Sequence, residues 1–224
     1  MTKIGSNYRT YALDFWGFGE SGDRRASYDV QEFVSLVDQF MEKLGIASAP
    51  LVGHSMGGTV SLMAAMEYPR RVKAVVVIGS PIAGSSLFLF PKLFGYRIFA
   101  WLTFHNLWIY KAFYHLLGPY YSRDPNWPAI MDRDVSRTKL EAFFTSIGSL
   151  RKTDLRNTIG QITSPVMGMY GDHDIVVNPK QWKLLQISLP KVRIERFPQA
   201  GHFIMLDQPV EFRQVLRSFL DLIQ

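Results

Sequence analysis

Gly53-His54-Ser55-Met56-Gly57, with Gly58 following, lies between an apolar run at 50–53 and a segment at 56–67 that suits a helix ended by Pro69. The spacing is G-x-S-x-G in a strand-to-helix context. A serine at such a turn sits on strained backbone that lifts its hydroxyl clear of the main chain. The glycines on either side leave room for the turn and for an approaching substrate. A helix starting at Met56 would point its N-terminal amides at developing negative charge. Taken alone, the stretch also fits a glycine-rich turn without chemistry.

Working outward, strand and helix signals alternate in two blocks. Residues 8–14 (YRTYALD) read as a short buried strand followed by a glycine-rich loop. Residues 29–44 carry Val30, Phe33, Val34, Val37, Phe40, Met41 and Leu44 at helical spacing, and Gly45 closes the helix. The β-branched run at 72–79 (VKAVVVIG) reads as a strand covered on both faces. The second block holds strands at 165–170 and 192–197 and helices at 179–188 and 209–223, with Asp207 expected as the last helix's N-cap. Alternation of this kind predicts an α/β fold with a mostly parallel, doubly wound sheet. Between the blocks, residues 87–121 are crowded with Phe, Trp, Tyr and Leu, and the alternation stops. The expected organisation is a core of residues 1–81 and 161–224, with a helical cap inserted at 82–160.

Serine is a weak nucleophile unless a base takes its proton, so a histidine oriented by an acid should follow in the chain. Gly171-Asp172-His173-Asp174 comes just after the 165–170 strand, and Gly201-His202 just after the 192–197 strand. Both stand at carboxyl ends of strands, where a parallel sheet gathers its active-site groups. Either Asp172 or Asp174 meets the order on spacing alone.

These features resemble the α/β-hydrolase family, in its cap-bearing branch of small esterases, lipases, thioesterases, carbon–carbon hydrolases and cofactor-free haloperoxidases. The likeness includes Asp14-Phe15-Trp16-Gly17-Phe18-Gly19-Glu20-Ser21, similar to the family's D-x-x-G-x-G-x-S loop, the GHSMGG turn and the AGHFIMLDQP ending. It implies Ser55 as nucleophile, His202 as base and Asp174, through the family's G-x-x-D pattern, as the acid. The Met56 amide would be one oxyanion donor, and no metal or organic cofactor is implied. The family's epoxide hydrolases and haloalkane dehalogenases carry an aspartate where Ser55 stands, so their chemistry is not expected. The implied substrate is a small ester or thioester with an apolar acyl group. Phe15, Trp16, His54 and Ile204 are expected to border its pocket. The family also has a strand, between those matching 8–14 and 50–53, whose turn gives the second oxyanion amide. Only seven residues precede Tyr8, so that donor is expected from elsewhere or lost, and loss costs roughly 3 kcal/mol. The open sheet edge leaves room for a second chain to complete it, or for an impaired remnant that acts as an interaction module.

Composition narrows the alternatives. With no cysteine, disulfides, thiolate metal sites and a cysteine nucleophile are excluded. The net charge of +6 comes from scattered cations, with no dense basic stripe, so a nucleic-acid partner is not expected. The N-terminus lacks a signal peptide's apolar core, and a cytoplasmic location is expected. The apolar run at 98–117 is broken by His105, Asn106, Lys111 and His115, which disfavours a spanning helix and leaves a lid over an acyl pocket or against a membrane surface. His105 and His115 are expected as packing or surface groups. Gly17-Phe18-Gly19-Glu20-Ser21-Gly22 is a literal G-x-G-x-x-G, but the helix begins several residues too late to meet a pyrophosphate.

Overall fold

The β-branched runs build the sheet. In the computed structural model, which describes residues 5, 7–22, 27–88 and 107–223, strands β1 (Ala49–His54), β2 (Val72–Ile78), β3 (Val166–Gly171) and β4 (Arg193–Phe197) pair in parallel in the order β1-β2-β3-β4. Helices α1 (Val30–Lys43) and α2 (Met56–Glu67) flank the first two strands. Three α-helices lie in the described part of the chain between β2 and β3, the segment expected as an insertion: α3 (Leu107–Tyr121), α4 (Trp127–Ser136) and α5 (Leu140–Lys152). Helices α6 (Gln181–Ser188), α7 (Ile204–Asp207) and α8 (Pro209–Leu220) complete the second block. The fold is α/β, as the alternation predicts.

Side-chain alternation in β2 divides the core. Val75 and Val77 join Phe33, Val34, Val60 and Leu62 on one face, and Ala74, Val76 and Ile78 join Phe212, Leu216 and Phe219 on the other. Each fully buried aliphatic or aromatic side chain stabilises by about 1.5–3 kcal/mol, and β2 feeds both faces. Asp29 caps α1 by accepting from the Glu32 amide at 2.8 Å.

Two expectations are corrected. Residues 8–14 form no ladder; the Tyr8 hydroxyl bonds to Asp221 and the Tyr11 ring lies edge-on to Phe40 at 6.0 Å. A strand needs a neighbour for its amides and carbonyls, and no described strand lies beyond β1, whose Val52 is 46% exposed. Asp207 does not cap α8. Gln208 holds that position without a side-chain capping bond, its side-chain amide donating to Glu211 instead, and Asp207 turns elsewhere.

The glycine-rich loop is architectural. Gly17 has φ +79, and a Cβ there would stand 2.4 Å from the Ala142 Cβ of α5. The Lys139 amide donates to the Gly17 carbonyl at 2.8 Å, so the insertion docks on this loop. At Gly19, the Asp14 carboxylate folds back over the backbone and accepts from the Glu20 amide at 3.0 Å. No helix among the described residues is long and apolar enough to cross a membrane. Residues 1–4 and 98–106 (with His105), each invoked by the sequence reading, lie outside the described residues. His115 is exposed and paired with Asp132 at 3.2 Å.

Candidate active site

Ser55 occupies the turn from β1 into α2 with φ 52 and ψ −122, a region that non-glycine residues rarely occupy. Its amide donates to the Ile78 carbonyl at the end of β2, and its carbonyl accepts from the Gly58 amide at 3.0 Å. The turn is possible because Gly53 and Gly58 lack side chains. A Cβ at Gly53 would sit 2.2 Å from the Gly57 carbonyl oxygen, and one at Gly58 would sit 2.0 Å from the Ser80 hydroxyl. Gly57, by contrast, has nothing within 4 Å. The Met56 amide begins α2 and makes no hydrogen bond among the described residues, as the first amides of a helix usually do not.

Asp174 and His202 come together at the neighbouring strand ends. Nδ1 of His202 donates to Oδ2 of Asp174 at 2.8 Å, and both residues are 4% exposed. The other carboxylate oxygen accepts from the Val176 and Val177 amides at 2.8 and 2.9 Å. With Nδ1–H committed to the carboxylate, Nε2 of neutral His202 is left as the basic nitrogen. Gly79, next after β2, forms the floor of this pair. Its φ is +54, and a Cβ would stand 3.2 Å from His202 Nδ1 and 3.3 Å from Asp174 Oδ2. Since the Ser55 amide bonds to Ile78, serine and pair lie on adjacent residues of one strand end. No hydrogen bond joins the Ser55 hydroxyl to His202 among the described residues, and such bonds are often loose until substrate is bound.

Asp172 is held elsewhere, in a two-pronged bond to Arg196 at 2.7 and 3.0 Å, so geometry puts Asp174 and not Asp172 beside the histidine. The His173 side chain is exposed. His54 donates from Nε2 to the His202 carbonyl at 3.0 Å, and the two rings are 4.6 Å apart. Burial, and then the neighbouring His202 imidazole, push the His54 pKa down to about 3. His54 is therefore neutral at pH 7, and its bonded nitrogen is not free to act as a base.

The remaining expected pocket residues all make packing contacts, Phe15 and Trp16 while half-buried. Phe15 stacks on Phe33 at 4.5 Å, Trp16 packs on the same core face, and Ile204 is fully buried against the other. Three residues near the site were not anticipated: Gly79, Phe203 and Asp207. Gly79 had a signal, a glycine closing a β-branched run. Phe203 and Asp207 had none that separates them from ordinary packing and capping residues. Among the described residues, no group of three or more His, Asp or Glu could hold a metal ion.

A parallel sheet that carries a serine on a strained turn, beside a buried Asp–His pair, defines a protein of the α/β-hydrolase class. The chain belongs to that family: the model described as the alpha/beta hydrolase fold matches residues 4–209. It is 27% identical to YugF, an uncharacterized hydrolase of Bacillus subtilis, over 95% of this chain and 80% of that protein. It is 21% identical to bifunctional epoxide hydrolase 2 of Sus scrofa over 96% of this chain, but spans only 47% of that protein, about half. Among solved structures, the enol-lactonase from Burkholderia xenovorans superposes with a TM-score of 0.82 at 19% identity, covering 98% of this chain and 84% of that one, which is a likeness of fold.

Proposed function

We propose that this chain is a serine hydrolase of esters or thioesters with apolar acyl groups. The observation that carries the reading is the buried 2.8 Å Asp174–His202 bond beside a serine held at φ 52. Ser55 Oγ attacks the substrate carbonyl carbon while His202 Nε2 takes the hydroxyl proton. The tetrahedral oxyanion meets the Met56 amide at the positive end of α2. Collapse breaks the bond to the alcohol or thiol, which leaves with the proton from His202. Water, deprotonated in turn by His202, attacks the acyl–Ser55 ester, releasing the carboxylic acid and restoring the serine. Asp174 holds the imidazole in its working tautomer throughout. Apolar acyl preference is supported by the aromatic and leucine-rich composition of the insertion, read as a cap over the site. Epoxide opening, named for the Sus scrofa relative, is disfavoured by a serine at the turn.

A second reading, favoured by the outer edge of β1, unpaired among the described residues, is that full competence needs another chain to complete the sheet and supply a further oxyanion donor. One experiment separates the two. The purified chain is treated with a fluorophosphonate and the adduct located by peptide mass spectrometry, with Ser55→Ala and His202→Ala as controls. Adduct on Ser55, absent in Ser55→Ala and greatly slowed in His202→Ala, supports an active site in this chain alone. A folded chain that takes no label refutes autonomous activity and leaves the partner-dependent reading.

A further inference from the structure

The insertion and the loop bearing His202 meet at one carboxylate. Asp207, last residue of the short helix α7, accepts through Oδ1 from the Ser122 hydroxyl at 2.6 Å and the Arg123 amide at 2.8 Å, both just beyond α3. Through Oδ2 it accepts from the amide of Gly201, the residue before His202, at 2.7 Å. Ser122 is 5% exposed, so this is a built joint and not a solvent-facing contact. Charged acceptors make stronger hydrogen bonds than neutral ones, and three donors saturate the carboxylate from two sides.

A second contact runs in parallel. Tyr121 stacks on Trp127 at 5.4 Å, and Trp127, 2% exposed, meets the Phe203 ring edge-on at 5.8 Å. Phe203 in turn stands 5.3 Å from His202 and 5.2 Å from His54. The residues on both sides of His202 are thus tied to the insertion, Gly201 through Asp207 and Phe203 directly through Trp127, while its own carbonyl is held by His54 and its Nδ1 by Asp174.

We propose that Asp207 is a positioning residue for His202: it fastens the insertion to the loop carrying the base, so that seating of the insertion sets the imidazole's aim. The proposal rests on the reading of His202 as base. Asp207→Asn is the informative change, because an amide keeps one acceptor oxygen but turns an NH2 towards one of the donors. The clasp then holds on one side only.

The test uses the whole chain in three forms: native, Asp207→Asn and Ser122→Ala. The His202 imidazole is followed by NMR on histidine-labelled protein, assigned with His202→Gln, and Ser55 phosphonylation is timed alongside. With melting temperature nearly unchanged, Asp207→Asn should move the His202 resonances and slow labelling by about tenfold to a hundredfold, the scale of a small misplacement of a catalytic group. Ser122→Ala should shift both in the same direction by less. Unmoved His202 resonances in both variants, or losses that merely follow loss of folded protein, overturn the proposal. If the native chain takes no label, the reading of an active site in this chain alone fails, and the imidazole resonances still decide whether Asp207 positions His202.

Discussion

Ser55, Asp174 and His202 each stand in a short motif at a strand end, and the structure brings Asp174 and His202 within a hydrogen bond of each other there. Spacing alone leaves Asp172 and Asp174 open, since both follow the same strand two residues apart, and the choice of Asp174 rests on the resemblance to the family's G-x-x-D pattern. In the structure Asp172 is bonded to Arg196, while Asp174 accepts from two amides and faces His202. Asp174→Asn should leave the fold intact and slow Ser55 phosphonylation by roughly 10⁴-fold, the scale of a histidine held in the wrong tautomer; stopped-flow or gel-based labelling rates measure it. His54 carries a prediction about stability. Its pKa is near 3 in the folded chain against 6.5 ordinarily, so below pH 6.5 the unfolded chain takes up a proton that the native one refuses. Stability from this residue is therefore intact above pH 6.5 and falls progressively as pH drops towards 3. Melting temperatures measured from pH 7 to 4 should fall less steeply in His54→Gln than in the native chain.

At the scale of elements, periodicity located α1, α2, β1 to β4, α6 and α8 to within a few residues, but not the short helix α7. What it could not supply was neighbours. Residues 8–14 have strand-like composition, yet β-structure is a property of pairs, and the described chain offers this segment no ladder. Asp207 failed similarly: an acid before a proline reads as a cap, and only the fold brings Ser122 and Gly201 within its reach. The strand–turn–helix unit around Ser55 yields a contrast. Gly53→Ala drives a Cβ into backbone at 2.2 Å and should abolish labelling or folding, whereas Gly57→Ala meets nothing and should melt as the native chain does. Thermal unfolding followed by circular dichroism distinguishes the pair.

For the whole molecule, the outer flank of β1, unpaired among the described residues, bears on behaviour in solution. An exposed strand edge with a half-open valine invites pairing with other chains. Val52→Lys should lower self-association measurably by analytical ultracentrifugation at high concentration, with little change in melting temperature, since Val52 is 46% exposed. The insertion has a different consequence, one of timing. Pairing β1 with β2 closes only the stretch from His54 to Val72, but pairing β2 with β3 must close everything from Ile78 to Val166. Doubling a loop costs equilibrium stability only about 0.6 kcal/mol, but long closures slow folding considerably. On a ribosome adding roughly 5–20 residues per second, the valines of β2 emerge several seconds before β3 exists to cover them. The half-made protein is then a parallel strand pair with its greasiest strand bare, and its yield in a cell depends on what shields that strand during synthesis.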